Sequence, residues 1–346
     1  MFQFTLDKKL SKSQLQEFAD GLEELSQRIG FKISPRGWCY QLESERVINK
    51  DQFDKVENYI NKCRKEGLLP VDFVAEEESR QFSGVSKQTP ETLQEFIRAY
   101  IEAPLSCYEW YEPDWWANEE YYIQMLVEKI DLKTLFSPVC EEYHIPIATS
   151  KGWSSVLQRA TYALRFKEAE ERGLKCVLLY AGDHDPDGLR ISDFIKKNLY
   201  DIQDVCWEGG STGYDPTNLI IDRFGLSSSY INANNLTWID NLITGSGNNL
   251  ALPSHKNHSM PYVKEYIRTY GVRKCEANAI VPFPVEARQL VREAIEKYLS
   301  NNALARFSLI RENLREKAYK IYDETGLRKT IDKTLIYLDS YNDDEN

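Results

Sequence analysis

The sequence predicts an α/β protein: a winged-helix-like N-terminal module, then a domain built on a mostly parallel sheet, then a helical C-terminal extension. Three observations carry this. Between residues 121 and 199, short apolar runs alternate with helical-looking stretches, the order that builds a parallel sheet. Two of those runs stop at acids, one at Glu128 and one at Asp183, Asp185 and Asp187. Capped or charged helical patterns occupy both ends of the chain.

In chain order, Ser13-Gln-Leu-Gln16 fits a capping box. Leu15, Phe18, Leu22, Leu25 and Ile29 then recur every three or four residues before Gly30, an amphipathic helix with start and stop signals. Arg36–Leu42, a helix through Phe53–Arg64 and Gly67-Leu-Leu-Pro70 complete a small module whose order of elements suits a winged helix. A helix near Pro90–Ala103 and an acidic, aromatic stretch (Tyr108, Trp110, Tyr111, Trp115, Trp116) lead onward. Tyr122–Val127 reads as a strand, Asp131–Tyr143 as a helix and Ile145–Ala148 as a short strand. Ser154–Arg172 reads as a helix, Cys176–Tyr180 as a buried strand and Leu189–Leu199 as a helix. Loop-rich sequence fills 205–255, and a charged helical pair around 284–335 closes the chain. The segments expected are 1–105, 106–280 and 281–346.

The 346 residues suffice for two or three domains, and 42% hydrophobic with 12% aromatic content allows a sizeable core. No run of eighteen apolar residues suggests a membrane span, and the N-terminus does not look like a secretory signal. The seven cysteines are scattered and never form C-x-x-C, which points to a reducing cytoplasm rather than a disulfide or zinc framework. A net charge of −11 argues against indiscriminate nucleic-acid binding, although the distribution of charge matters more than its sum. Basic residues gather in 256–274 and 306–333, where solvated helix faces explain any one cluster more readily than a DNA track does.

The segment Val177-Leu-Leu-Tyr-Ala-Gly-Asp-His-Asp-Pro-Asp-Gly188 is a strand running into a turn marked by Gly182, Pro186 and Gly188. Loops at the carboxyl ends of such strands are where ligands bind. Asp183 and Asp185, two residues apart on extended backbone, project to one side and can share one ion. Their hard oxygens suit Mg²⁺. By itself the loop is equally a solvated turn or a helix cap. Glu128 changes the balance, because in a parallel sheet both strand ends lie on one edge. A glutamate plus an aspartate pair is a competent one- or two-metal site for phosphodiester chemistry.

The arrangement of a glutamate followed by Asp-x-Asp on alternating strands resembles the Toprim domain, a Rossmann-like fold of topoisomerases, primases and related nucleases. The fuller text, Val127-Glu-Lys129, Lys151-Gly-Trp-Ser-Ser155 and Gly182-Asp-His-Asp-Pro-Asp-Gly188, is similar to the Toprim half of the topoisomerase VI A-subunit superfamily. Its stand-alone prokaryotic members, found in mobile elements and plasmid-defence systems, are the nearest in character. The resemblance implies that Glu128, Asp183 and Asp185 hold metal; Asp187 sits where these relatives vary. In that superfamily a DNA-binding winged helix precedes Toprim and carries Arg-x-x-Tyr-Tyr, whose tyrosine attacks the DNA backbone. Here the text is Arg36-Gly-Trp-Cys-Tyr40, with Cys39 in place of the first tyrosine. Arg64-Lys-Glu-Gly-Leu-Leu-Pro70 and Glu78-Ser-Arg80 are also similar to stretches of the stand-alone relatives. The likeness covers roughly residues 30–300 and is strongest at 121–190.

Tyr40 as a nucleophile needs a group that removes its proton or stabilises its anion, since free tyrosine titrates at about 10. Arg36, one helical turn earlier, is placed for that or for holding the phosphate. A Trp-Cys-Tyr run is also ordinary core packing. Lys129 is either a phosphate contact or a surface charge. Lys151 and Ser154 open a helix after a strand, where backbone N–H groups and hydroxyls hold phosphate or merely cap. His184 faces away from the aspartates and reads as a supporting or exposed residue, and His255 and His258 as part of a polar loop.

The expectation is therefore Mg²⁺-dependent (or Mn²⁺-dependent) DNA cleavage, by an endonuclease or by topoisomerase VI A-like breakage. The resemblance implies a homodimer, since each chain offers one site and a double-strand cut needs two. No G-x-x-x-x-G-K-[ST] motif occurs, so strand passage would need a separate ATPase partner. The rival from another class is a non-catalytic DNA- or nucleotide-binding subunit of a larger complex. Primase-like nucleotidyl transfer is a third reading.

Overall fold

The computed structural model describes residues 10–75, 92–150, 156–207, 213–244 and 247–340. Helix α1 (Lys12–Ile29) buries Leu15, Phe18, Leu22 and Leu25, the face its periodicity marks. Its N-cap is Ser11, two residues before the expected Ser13. Ser11 Oγ accepts from the Gln14 N–H at 3.3 Å, and Gln14 Oε1 accepts from the Ser11 N–H at 3.0 Å. Starting there places Leu10 and Leu15 at the two positions of a hydrophobic staple, and both are buried. Gly30, at φ 73°, closes the helix in the left-handed conformation that glycine adopts freely.

Helix α2 (Pro35–Ser44) starts at N-cap Ser34 with proline in its first turn, and α3 (Phe53–Lys65) follows. Trp38 of α2 is fully buried and stacks on Phe73 at 5.0 Å. Residues 10–75 hold helices and turns but no strand. The helices of the expected winged module are therefore present, and no wing lies among the described residues of that segment.

After α4 (Leu93–Glu102), the chain enters the sheet with β1 (Tyr121–Val127), α5 (Ile130–Glu142), β2 (Ile147–Thr149), α6 (Val156–Glu171) and β3 (Lys175–Ala181). Helix α7 (Ile191–Tyr200) and strand β4 (Ile220–Arg223) follow. All four strands are parallel, in the order β2-β1-β3-β4. β1 and β3 are buried along nearly their whole length, as expected of central strands covered on both faces. β4 falls in the stretch expected to be loop. It has four residues, and its polar half, Asp222-Arg223, breaks the apolar run that would mark a strand. Pairing with β3 creates it, from Val177↔Ile220 to Tyr180↔Arg223.

Short α8 (Ser228–Ala233), α9 (Pro261–Tyr270) and α10 (Pro284–Glu296) come next. The expected C-terminal pair is three helices: α10, α11 (Ala303–Glu324) and α12 (Leu327–Asp339). Gly326, at φ 68°, makes the turn between the last two.

The chain divides into two compact units, Met1–Arg80 with Glu120–Leu299, and Gln81–Glu119 with Ser300–Asn346. The division is discontinuous, unlike the consecutive segments 1–105, 106–280 and 281–346. Within the first unit α10 packs on α5, where Arg292 pairs with Glu142 at 2.6 Å and the Tyr143 hydroxyl donates to Glu296 at 2.6 Å. Within the second, Trp115 meets Phe307 edge-on at 4.9 Å, and Arg306 pairs with the buried carboxylate of Glu119. Among the described residues no helix is long and apolar enough to cross a membrane, and all seven cysteines are free thiols.

Candidate functional site

β1 and β3 run in register from Tyr121↔Lys175 to Val127↔Ala181, so the residues after them meet on one sheet edge. The strand order makes this seam the point where the chain departs in opposite directions, to β2 on one side and β4 on the other. A crevice opens at the carboxyl ends of such a switch point. Glu128 and Asp183 are thus neighbours by topology. The Asp183 N–H donates to Glu128 Oε2 at 2.7 Å, and the Ala277 N–H donates to Asp183 Oδ1 at 2.7 Å. Lys129 bridges the other two oxygens, with Nζ 3.0 Å from Glu128 Oε1 and 3.2 Å from Asp183 Oδ2.

The acidic loop is braced from behind. Arg223, at the end of β4, donates to the carbonyls of Asp183 (2.9 Å), Gly188 (3.1 Å), Gly182 and Leu226 (both 3.4 Å). His184 exchanges backbone hydrogen bonds with Cys275 at 2.8 and 3.0 Å. Its ring is buried, 3.0 Å from the Tyr266 hydroxyl and packed against Trp238 and Tyr270. That burial lowers its pKa to about 4 and makes it a neutral support. Glycine is required twice. A Cβ at Gly188 would land on the Asp183 carbonyl oxygen, and one at Gly182 would sit 2.7 Å from Glu128 Oε2. The Gly188 N–H donates to Asp185 Oδ1 at 2.6 Å, and the Tyr262 hydroxyl to Asp187 Oδ1 at 2.9 Å.

Glu128, Lys129, Asp183, Asp185 and Asp187 line an open cleft of about 700 Å³, together with Arg36, Lys274 and Glu276. Burial, reinforced by the neighbouring Glu128 charge, pushes the Asp183 carboxyl up to about 7. Burial also raises Asp185. Glu128 goes the other way: burial opposes its charge, but Lys129 and the Asp183 N–H together hold it below the usual carboxylate range. Lys129 pays for its burial with the two carboxylates beside it, and its pKa is raised. Among the described residues, no group of three or more His, Cys, Asp or Glu side chains stands arranged to hold a metal ion.

Of the residues expected at the site, six meet in the cleft: Glu128, Lys129, Asp183, Asp185, Asp187 and Arg36. Arg36 pairs with Glu57 at 3.3 Å and Asp54 at 3.7 Å. Tyr40 is not on the cleft wall. It is 2% exposed, edge-on to Phe53, and its hydroxyl donates to Glu276 Oε2. Burial and the Glu276 charge push its phenol far above the ordinary value. Lys151, Ser154 and Glu78-Ser-Arg80 lie outside the described residues. His255 and His258 sit in turns, bonded to local backbone, as a polar loop requires.

Sequence reasoning gave no role to Glu276, Lys274, Asp131 or Arg223. Glu276 and Ala277 follow Cys275, whose bridge to His184 delivers them to the acidic loop from more than ninety residues away. Asp131, fully buried, accepts from Ser34 Oγ at 2.5 Å and Asn278 Nδ2 at 2.8 Å, tying the start of α2 to the sheet edge. The signal for Arg223 was a basic residue ending the Ile-Ile-Asp-Arg run. No protein-family model matches the chain, and no curated protein matches it.

Proposed function

We propose that this chain is a Mg²⁺-dependent DNA-cleaving protein that works by hydrolysis. The observation that carries the reading is the juxtaposition of Glu128 and Asp183 at the β1/β3 switch point, in a cleft that also receives Asp185 and Asp187. The donors are all hard carboxylate oxygens, the set that suits Mg²⁺ or Mn²⁺ and not a soft metal. Glu128 and Asp183 would hold the ion, with water and substrate phosphate completing its shell, and when bound it would neutralise charge on the phosphate and the leaving oxygen. Lys129, Lys274 and Arg36 offer the cleft wall cations that attract and orient a phosphodiester. DNA as the substrate, a homodimer with one site per chain, a separate ATPase partner for any strand passage and a cytoplasmic setting are part of this proposal. They rest on the resemblance to the topoisomerase VI A-subunit superfamily.

Hydrolysis is preferred over a covalent phosphotyrosine link because Tyr40 is buried behind Glu276 with its proton held firmly. One observation favours a second reading: the Lys129 ammonium already satisfies the Glu128–Asp183 pair, as suits a non-catalytic DNA- or nucleotide-binding subunit. The test is supercoiled plasmid incubated with protein and Mg²⁺ or Mn²⁺, with and without protease before electrophoresis. Cleavage that survives Tyr40→Phe and vanishes in Glu128→Gln supports hydrolysis. Ends released only after protease, and lost in Tyr40→Phe, point to the covalent route. DNA binding with no cleavage under either metal leaves the binding subunit.

A further inference from the structure

We infer that Lys129 is a built-in counter-ion that occupies the metal seat at rest and must swing out before a divalent ion can enter. The inference rests on the metal-site reading of Glu128 and Asp183 and specifies how that site is kept when empty of metal. Each carboxylate has one oxygen fixed by a backbone donor, Glu128 Oε2 by the Asp183 N–H and Asp183 Oδ1 by the Ala277 N–H. Those bonds set the orientation of both groups. The oxygens left over, Glu128 Oε1 and Asp183 Oδ2, converge on a single cation, the Lys129 ammonium, at 3.0 and 3.2 Å. A seat for positive charge is therefore preorganised, and the chain fills it with its own side chain.

The two occupants exclude each other. Mg²⁺ takes carboxylate oxygens at about 2.0–2.1 Å and demands near-octahedral surroundings, so an ammonium bonded to the same two oxygens lies inside the space it needs. Without a cation, two partly buried carboxylates this close would repel each other strongly. Lys129 relieves that repulsion by its contacts to both carboxylates. It is also able to leave: its side chain is 34% exposed and carries a flexible four-carbon stem. Once displaced it remains a residue of the cleft wall, a cation available to a phosphodiester bound there. A divalent ion thus exchanges for the ammonium, and the freed lysine becomes a substrate contact.

Mn²⁺ titrations of the full chain, by calorimetry and by thermal shift, test this on the wild type, Lys129→Met, Lys129→Arg and Glu128→Gln. Removing the competing charge should tighten Mn²⁺ binding about tenfold or more in Lys129→Met. The same variant should melt below wild type without metal and recover on adding it. Lys129→Arg keeps the charge and should bind Mn²⁺ no more tightly than wild type. On the unmodified protein, ¹⁵N spectra of the lysine ammonium groups should show Lys129 protected from solvent exchange, and Mg²⁺ should abolish that protection. If Glu128→Gln loses Mn²⁺ while Lys129→Met binds it no better than wild type, the exchange is overturned and the metal site stands. If wild type and Lys129→Met both fail to bind Mn²⁺, the metal site itself falls, and the exchange with it.

Discussion

The hydroxyl of Tyr40 donates to Glu276, and of the two only Glu276 reaches the cleft. Of the two roles open to Tyr40, attack on DNA and core packing, this contact supports the second, with the hydroxyl holding a carboxylate in place. Tyr40→Phe should therefore keep plasmid cleavage within about threefold of wild type and leave DNA ends free of protein. It should cost about 1 kcal/mol of stability, for the hydrogen bond lost to a partly buried acid. A denaturant melt and the plasmid assay together check both halves.

Glu128→Gln and Asp183→Asn keep shape and remove charge. Each should lower Mg²⁺-dependent cleavage at least about a hundredfold, because the site loses an ionised donor that no neighbour replaces. Rates measured across a Mg²⁺ series would show whether extra metal restores activity, and only a small recovery is expected.

The raised pKa of Asp183 has a direction that can be tested without metal. Folded, its carboxyl titrates at about 7, well above its unfolded value. Proton binding therefore favours the folded state, and this stability is fully present at low pH and lost as pH rises through about 7. Urea melts from pH 5 to 8 should show that slope, and Asp183→Asn should flatten it. With metal present the same proton competes with the ion, so Mn²⁺ affinity should fall as pH drops below about 7.

Gly188 has no room for a methyl group, since an added Cβ would meet the Asp183 carbonyl oxygen. Gly188→Ala should cost about 2 kcal/mol or more and displace the loop carrying Asp183 and Asp185. A lower melting temperature with weaker Mn²⁺ binding is the expected pair of outcomes.

Arg223 gathers four loop carbonyls with one guanidinium. Lysine lacks that planar fork, so Arg223→Lys should weaken Mn²⁺ binding about tenfold although Arg223 touches no carboxylate of the cleft. Unchanged Mn²⁺ affinity in a folded Arg223→Lys protein would remove it from the site's support.

By itself the sequence determined the central strands and the acids that end them. β3 is apolar from Cys176 to its end and β1 is interrupted only by Gln124, and Glu128, Asp183 and Asp185 come within a few residues of the strand ends, so local pattern suffices. It also marked the buried face of α1, although the capping box was displaced by two residues, because Ser11 and Ser13 both satisfy the pattern and only the burial of Leu10 favours the first. Only the tertiary structure decided the sheet order, the edge strand β4 and the company the acids keep. Glu276, Lys274 and Arg223 come to the loop from distant parts of the chain, through strand pairing and the His184–Cys275 bridge, and no short-range spacing encodes that. It decided too that Tyr40 lies behind Glu276 and that Lys129 sits between two carboxylates. Both are consequences of packing, which sets what a side chain faces; sequence neighbours set only where it starts.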